Sequence, residues 1–278
     1  MAIQLAGKFE KKTSDLVKAA RKSKKFTNQD WDWTGVNQIE VYTLVDPVMG
    51  DYDATAAANR YGTPSEVQDT TQVWALTEDR SWSKVMDKKN KQDTMGVRQP
   101  GKYLAQSLKN VFVPELDTYI FATIGAAATT ASRDTIVTAG ATTSANAYTN
   151  LLTLDAEITD DEGPEEGRVA AMTAQYYNFL KQGGFILDSD SAYRDRKSGN
   201  LGTVDGKEVW IVPSNRLPAN TDLIISHASV TVAPEKLEDY TLHKNAPGIS
   251  GDLLEYRHRY DAFVDTNKTP SLAVHKTA

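Results

Sequence analysis

Residues 76–127 read LTEDRSWSKVMDKKNKQDTMGVRQPGKYLAQSLKNVFVPELDTYIFATIGAA, and this stretch decides the fold. Strand-forming runs at 71–76 and 82–86 flank the polar segment Thr77-Glu78-Asp79-Arg80, which predicts two strands paired around a turn. A basic, polar segment follows, and apolar residues at helical spacing then predict a helix over residues 102–124. At 1.5 Å per residue this helix would be about 35 Å long, which is unusual in a compact domain.

The predicted long helix contains a proline. Because Pro114 has no N–H to donate and crowds the preceding turn, we expect a kink or a break there. The segment Gln99-Pro100-Gly101 is also expected to disturb the start of the helix. The candidate buried positions on it are Leu104, Leu108, Val111, Phe112, Tyr119, Phe121 and Ile124.

The composition limits the possible classes of protein. A chain of 278 residues with 40% apolar residues can form one large domain or two modest ones. It has neither an apolar run near the roughly 18 residues that span a bilayer nor a signal peptide, so we expect a soluble, cytosolic protein without a membrane partner. The absence of cysteine excludes disulfides, thiol catalysis and thiolate zinc sites.

No enzymatic motif or cofactor site is found. The four histidines, His227, His243, His258 and His275, lack metal-ligand spacing. Gly199, Gly202 and Gly206 do not have dinucleotide-binding spacing, and neither a phosphate-binding loop nor a nucleophile elbow is present. Asp188-Ser189-Asp190 lacks the glycine and glutamate of a calcium loop. We therefore predict a protein that is not an enzyme and has no cofactor.

Charge is distributed unevenly along the chain. Residues 1–25 contain eight basic and two acidic residues, although the whole chain carries a net charge of −6. Such an arm can bind nucleic acid non-specifically or bind an acidic partner, and the alternative is a solvated, amphipathic helix over residues 4–22. The candidate contact residues of the arm are Lys18, Arg21, Lys22, Lys24 and Lys25.

Two further segments have opposite charges. Residues 46–73, here called the acidic loop, contain no lysine and carry Asp46, Asp51, Asp53, Arg60, Glu66 and Asp69. Residues 80–109, here called the basic stretch, hold eight basic and two acidic residues, including Arg80, Lys84, Arg98 and Lys102. A loop as long as the acidic loop is usually either functional or disordered.

The remaining segments predict an α+β fold without internal repeats. A strand is predicted over 36–44. Helices are predicted over 145–160, capped by Ser144, and over 174–182, capped by Thr173. Asp205-Gly206 predicts a tight hairpin turn, because both positions favour positive φ. Further strands are predicted at 168–172, 223–226, 229–232 and 254–264.

Several short motifs follow one another along the chain. They are Gly50-Asp51-Tyr52, Leu76-Thr77-Glu78-Asp79-Arg80, Asp93-Thr94, Val113-Pro114-Glu115-Leu116-Asp117, Gly163-Pro164, Gly167-Arg168-Val169, Gly202 with Gly206, Pro213-Ser214 and Leu217-Pro218. Each motif is weak alone, and their shared order over about residues 36–270 is more specific. This order resembles that of the major capsid proteins of tailed bacteriophages with the HK97 fold.

The resemblance implies five segments of a shell subunit. Residues 1–35 would be an N-terminal arm, 36–92 the extended E-loop with its flanking strands, and 93–127 the spine helix of the peripheral P domain. Residues 128–245 would form the A domain at the capsomer centre, and 246–278 would be strands that return to the P domain. The short arm makes a separate scaffolding protein plausible, and the lysine-free loop excludes crosslinking through an E-loop lysine.

The resemblance also implies the partners and the location. The subunit would assemble with itself into hexamers and pentamers around double-stranded DNA, with a scaffolding protein, a portal and possible decoration proteins. It would be assembled in the host cytoplasm and remain in the virion. We hypothesise that the acidic loop docks on the neighbour's basic stretch around Arg98 and Lys102.

Two other hypotheses remain at this point. A cellular nanocompartment of the encapsulin type would use the same fold and would require a cargo protein. A binding or tail-structure protein of another fold would form no particles.

Overall fold

The computed structural model describes residues 18–28, 38–93, 99–130, 141–183 and 200–277. Its helices and mostly antiparallel strands confirm the mixed α+β class. The predicted 4–22 helix is wrong for residues 18–22, which are not helical, and its remainder lies outside the described residues, as do Arg98 and the Asp188–Asp190 segment. The chain divides into two units, residues 30–77 and the remainder.

The smaller unit is built on a strand pair. Strands β1 (Gln38–Leu44) and β2 (Asp69–Ala75) run antiparallel, with Gln38 opposite Ala75 and Leu44 opposite Asp69. Ile39 and its partner Trp74 lie on one face and are buried. Pairing of the 71–76 strand with the 82–86 strand was therefore a wrong prediction, because the first of these strands pairs with β1.

The larger unit contains a three-stranded sheet of β3 (Glu78–Asp87), β9 (Glu235–Lys244) and β10 (Gly251–Tyr260). Strand β10 lies in the middle and pairs with the other two, so the order is β3-β10-β9. Alternate β10 residues, among them Leu254, Tyr256 and Tyr260, are buried, so one face of this sheet is covered. Gly251 lies so close to Met86 that a Cβ would come within 2.2 Å of the Met86 carbonyl oxygen.

A five-stranded sheet forms the centre of the larger unit, in the order β12-β7-β4-β6-β5. Its strands are β4 (Arg168–Met172), β5 (Asn200–Val204), β6 (Lys207–Ile211), β7 (Thr221–His227) and β12 (Leu272–Lys276). The helices of this unit are α1 (Lys88–Asp93), α2 (Pro100–Ser107), α3 (Val113–Thr130), α4 (Ala147–Asp160) and α5 (Ala174–Gln182), and β8 (Thr231–Val232) pairs with β11 (Phe263–Val264). Only β4 and β6 pair in parallel; the other pairs of this sheet are antiparallel.

The two faces of this sheet bury separate sets of apolar residues. Val169, Ala171 and Ile224 belong to the same buried cluster as α3. Their neighbours Ala170 and Met172 join the cluster of α4 and α5 on the opposite face. The alternation follows from the two-residue period of a strand and produces three layers, with helices on both sides of the sheet.

Residues 100–130 form one helical stretch. Pro100 occupies the start of α2, where its missing N–H is not needed. The prediction that Gln99-Pro100-Gly101 disturbs the start of the helix was therefore wrong. Between α2 and α3 the segment Leu108–Phe112 is a π-helix that ends two residues before Pro114. The helix therefore accommodates the proline by a local widening, in which the Val113 N–H donates to the Leu108 carbonyl.

The apolar character of this helix follows from its burial. By length and composition residues 100–130 would suffice to cross a bilayer. Leu116, Ile120 and Ile124, however, are buried in the cluster that includes β4 and β7. The predicted burial of Val111 was wrong, because 57% of this residue is exposed.

Local sequence signals were accurate in the second half of the chain. The predicted strand 168–172 and helix 174–182 are confirmed, and the Thr173 hydroxyl accepts a hydrogen bond from Tyr176 N at 3.1 Å. Asp205 and Gly206 have φ of 51° and 78°, as the predicted hairpin turn requires. The Ser144 cap was wrong: α4 begins after Asn146, whose side-chain oxygen accepts from Thr143 N.

Candidate functional site

A buried ion pair holds residues 18–28, here called the docked arm, against the larger unit. Arg216 Nη1 donates to Asp117 Oδ2 at 2.8 Å, and the two side chains are 4% and 0% exposed. The Asp117 carboxylate also accepts hydrogen bonds from Lys22 N and Ser23 N, each at 3.0 Å. Because the Arg216 guanidinium balances the charge of the buried carboxylate and the backbone N–H groups of the arm replace its lost hydration, docking of the arm and burial of Asp117 depend on each other.

Arg216 binds the arm through its backbone as well. It donates to the carbonyl oxygens of Ala19 and Ala20 at 2.8 and 3.0 Å. The guanidinium therefore joins the 213–218 turn, the long helix and the arm at one point. Sequence reasoning missed this centre, although its residues lie within or beside the quoted Val113–Asp117 and Pro213–Pro218 motifs.

Apolar packing and backbone hydrogen bonds also hold the docked arm against the larger unit. Phe26 is fully buried and packs edge-on against Phe121, with ring centroids 5.4 Å apart. Asn28 N donates to the Thr231 carbonyl at 2.8 Å and forms a parallel bridge with Val232. Lys18 Nζ donates to the Asn110 carbonyl at 2.5 Å. This carbonyl lies four residues before Pro114, which has no N–H to offer it.

The basic side chains predicted for the arm mostly bind the chain itself. Arg21 Nη1 donates to Glu235 Oε1 at 2.6 Å, and Lys25 Nζ lies 3.5 Å from Glu208 Oε2. Lys22 Nζ lies 5.4 Å from the centroid of the Trp210 ring, within cation–π range. Burial and the nearby Arg216 lower the pKa of Lys22, and the negative charge of Asp117 raises it by a smaller amount. Lys24 is exposed.

Glu235 connects the arm to the three-stranded sheet. Its Oε2 lies 3.5 Å from Nε2 of the buried His258, while its Oε1 accepts from Arg21. His258 and Arg21 lower the pKa of Glu235, against burial, which raises it. An ionised Glu235 therefore favours the docked arm.

The acidic loop has internal order in its middle. Asp53 Oδ1 accepts from Thr55 N at 2.8 Å and from the Thr55 hydroxyl at 2.6 Å. Asp53 N donates to the Arg60 carbonyl at 3.1 Å, and Arg60 Nε donates to the Ala56 carbonyl at 2.9 Å. Two of the predicted intersubunit residues, Asp53 and Arg60, thus have bonds within the loop. The hydrogen bonds from Thr55 lower the pKa of Asp53.

The other predicted loop residues, Asp46, Asp51, Glu66 and Asp69, are exposed. In the basic stretch, Lys84 and Lys102 are exposed too, whereas Arg80 Nε donates to Glu115 Oε1 at 2.6 Å. The hydrogen bond from Arg80 to Glu115 raises the pKa of Arg80. The structure therefore leaves Lys84 and Lys102 as the more accessible cations of this predicted surface.

Other charged groups have structural roles. The buried Arg168 donates to the Gly163 and Pro164 carbonyls at 2.8 and 2.7 Å and to Asp155 Oδ1 at 2.6 Å. Lys207 Nζ lies 2.9 Å from the second oxygen of Asp155. Arg168 thus fixes the acidic 160–166 turn. The described residues contain no cluster of potential metal ligands.

One buried network superficially resembles catalytic machinery. His275 Nδ1 lies 2.6 Å from Asp222 Oδ1, and its other ring nitrogen lies 3.2 Å from the Asn150 amide instead of a nucleophile. The Thr142 hydroxyl donates to the second Asp222 oxygen. A cavity of about 1010 Å³ opens beside this network, and among the described residues that line it Lys22 and Asp222 are the charged ones. The arrangement satisfies buried polar groups and contains no nucleophile–base pair.

Comparison with known proteins identifies the fold. No protein-family model and no curated protein matches the sequence. A structure from Mycobacterium phage Che8 matches with a TM-score of 0.76 at 16% identity, over 97% of this chain and 96% of the other. The mature capsid of bacteriophage PhiM1 matches with 0.68 at 15% identity, over 98% and 91%. The capsid of cyanophage P-SCSP1u matches with 0.71 at 13% identity, over 98% and 93%.

The chain therefore has the fold of phage capsid proteins. The similarity extends over nearly the whole length of both chains. The resemblance seen in the motif order is thereby confirmed at the level of the fold.

Proposed function

We propose that the chain is the major capsid protein of a tailed bacteriophage and forms the icosahedral shell that encloses the DNA genome. The observation that carries this proposal is the near end-to-end match to phage capsid structures. A partial match would be compatible with one shared domain in a protein of another function. Here more than 90% of both chains is covered, so few residues remain that could form an additional domain. The phage origin of these structures does not favour the alternative of a cellular nanocompartment.

The proposed HK97-type organisation follows the five segments named above. Residues 1–35 are the arm, 36–92 the E-loop with its flanking strands, 93–127 the spine helix, 128–245 the A domain and 246–278 the returning strands. The separate unit at 30–77 and the long helix over 100–130 support the second and third segments. The last segment contributes to two sheets, because β10 pairs with β3 and β9, whereas β12 pairs with β7.

The proposed assembly consists of hexamers and pentamers held in part by charge. In this proposal the acidic loop of one subunit lies on the basic stretch of its neighbour, where Lys84 and Lys102 are exposed. Complementary charge steers association and fixes orientation more than it adds affinity. In this proposal the N-terminal arm contacts DNA or a scaffolding protein, and Lys24 is exposed for such a contact. A portal and decoration proteins would complete the virion, assembled in the host cytoplasm.

Electron microscopy of the full-length protein tests the proposal. The chain would be produced alone and together with the gene directly upstream, and each preparation would be examined by negative stain and sizing chromatography. We expect closed shells or capsomer rings in at least one preparation. Monomers in both preparations would contradict the proposal, provided that circular dichroism shows that the chain is folded.

A further inference from the structure

The long helix lacks one of its regular hydrogen bonds at Asn110. In an α-helix the carbonyl oxygen of residue 110 accepts from the N–H of residue 114, and Pro114 has none. In the adjacent π-helix the Val113 N–H donates to the Leu108 carbonyl. Asn110 is only 6% exposed, so an unpaired carbonyl at this position would be costly. A donor from another part of the chain would therefore stabilise residues 108–114, here called the junction.

The two helices that the junction connects differ in burial. Seven residues of α3 are buried, whereas α2 contains no buried residue within the described part of the chain. A side-chain contact of α2 with the three-stranded sheet is that of Tyr103, whose ring meets Trp82 edge-on at 5.5 Å between centroids. A π-helical turn next to a proline is a usual cause of a bend. The direction of α2 relative to the fixed α3 therefore depends on the junction.

The docked arm follows the long helix from the junction into α3. Lys18 contacts Asn110, the backbone of the next turn donates to Asp117, and Phe26 packs against Phe121. Arm and helix therefore run in the same direction. At 1.5 Å per residue, the stretch of helix from 110 to 121 is about 16 Å long. One continuous segment of the arm thus connects the core-anchored α3 to the middle of the junction.

Lys18 donates to the carbonyl that Pro114 leaves without its regular partner. Its Nζ lies 2.5 Å from the Asn110 oxygen. The two residues that follow, Ala19 and Ala20, are held by Arg216 through their carbonyl oxygens at 2.8 and 3.0 Å. The buried guanidinium therefore fixes the backbone from which the Lys18 side chain extends. A hydrogen bond from an ammonium group is about twice as strong as one between neutral groups.

We propose that Lys18 replaces the N–H that Pro114 lacks, and that the docked arm thereby restrains the angle between α2 and α3. With the arm docked, the junction is tied to the same buried centre that holds α3. When the arm leaves, the Asn110 carbonyl loses this donor and α2 can bend relative to α3. Lys18 is thus a positioning residue that couples the state of the arm to the direction of α2. This coupling belongs to the single subunit and does not depend on shell formation.

A double-mutant cycle tests the replacement of the missing donor. Lys18→Met keeps the apolar stem of the side chain and removes its ammonium group. In the unassembled full chain we expect the amides of the junction to exchange with deuterium about tenfold faster in this variant, because a charge-assisted hydrogen bond is lost. In a Pro114→Ala background the new backbone N–H can donate to Asn110. There Lys18→Met should accelerate exchange by less than about twofold.

Pulsed electron paramagnetic resonance tests the restraint on the angle, since the chain contains no native cysteine. Spin labels are attached to Lys102→Cys on α2 and Ala122→Cys on α3, two exposed positions about 30 Å apart along the helix. We expect one narrow distance distribution with Lys18 present and a broader one with Lys18→Met. Lys18→Arg keeps a donor and should restore the narrow distribution. The matched control Lys25→Met removes an arm cation that pairs with Glu208 and should leave the distribution narrow.

The outcomes address the two halves of the proposal separately. Equal acceleration of exchange by Lys18→Met with and without Pro114 would show that Lys18 does not act through the missing N–H, and would overturn the first half. The same distance distribution in the wild-type background and in Lys18→Met would overturn the restraint of α2. Neither result bears on the shell function, because both measurements are made on the unassembled subunit.

Discussion

Arg216 and Asp117 form an ion pair at 2.8 Å although 99 residues separate them in the sequence. The pair has hardly any access to solvent, and the backbone of the docked arm supplies the remaining hydrogen-bond partners of both groups. Three distant segments of the chain are thus joined by one buried charge pair. Such a pair is costly to break, because either partner left alone would be a buried, uncompensated charge.

Loss of this ion pair should destabilise the subunit strongly. We expect Arg216→Ala to lower the free energy of unfolding by about 3–5 kcal/mol, as is typical when one member of a buried pair is removed. Urea denaturation of the unassembled subunit measures this free energy of unfolding. The matched control is Arg257→Ala, which breaks the exposed pair with Asp79 and should cost less than about 1 kcal/mol. Equal losses in the two variants would show that the buried pair has no special role.

The position of an N-terminal truncation should decide its effect. Deletion of residues 1–17 keeps every contact described for the docked arm. Deletion of residues 1–25 removes the Lys22 and Ser23 N–H donors of Asp117, so we expect a marked fall in Tm for this variant alone. Differential scanning calorimetry compares the Tm of the two deletion variants with that of the wild type. If both keep the wild-type Tm, the docked arm does not stabilise the subunit.

The variant that lacks residues 1–17 can then separate the two roles proposed for the basic arm, which are binding of a scaffolding protein and contact with DNA. Normal empty shells from this variant would exclude a scaffold-binding role for these residues and leave DNA contact. Failed assembly of a subunit with unchanged Tm would indicate scaffold capture.

The contribution of Glu235 to the stability of the folded chain should vary with pH. Its pKa is lower in the folded chain than the ordinary value of about 4.3, so its ionised form stabilises the fold above that value. The stabilisation is lost as the pH falls through the lowered folded pKa. We expect Glu235→Gln to have a lower Tm than the wild type at pH 6 and the difference to shrink towards pH 3. A difference independent of pH would exclude ionisation as its source.

Charge reversal on the basic stretch should block assembly without unfolding. We expect Arg98→Glu with Lys102→Glu to prevent shell formation, because the acidic loop of the neighbour would meet like charge. Lys102 is exposed, so the variant subunit should keep its circular dichroism spectrum. Sizing chromatography and negative-stain microscopy measure the effect. Normal shells from this double variant would rule out the predicted contact.

The features that could be predicted from sequence are mainly those set by neighbouring residues. The Thr173 cap depends on a donor three residues away, and the Asp205-Gly206 turn depends on two adjacent φ angles. Both have local physical causes, and both were predicted. The Asn146 boundary was missed, because Ser144 and Asn146 are both suitable residues for a helix start.

Features that depend on distant residues could not be predicted in this way. Strand β3 pairs with β10, which follows it by more than 160 residues, and adjacent strand signals wrongly favoured pairing with β2. Helical spacing placed Val111 in the core, but the π segment shifts the residues on either side of it relative to a regular helix.

Strand β12 has a consequence for how the protein is made. It occupies one side of β7 in the five-stranded sheet, and it is translated after β4, β6 and β7. The docked arm is translated before these strands, yet its contacts with Arg216 and Val232 can form only after those residues have been synthesised. Folding is therefore completed only after the ribosome has passed Lys276, and contacts this distant in sequence form slowly. Chains that terminate before Leu272 lack β12 and leave one side of β7 unpaired, so only a chain synthesised past this strand can complete the five-stranded sheet.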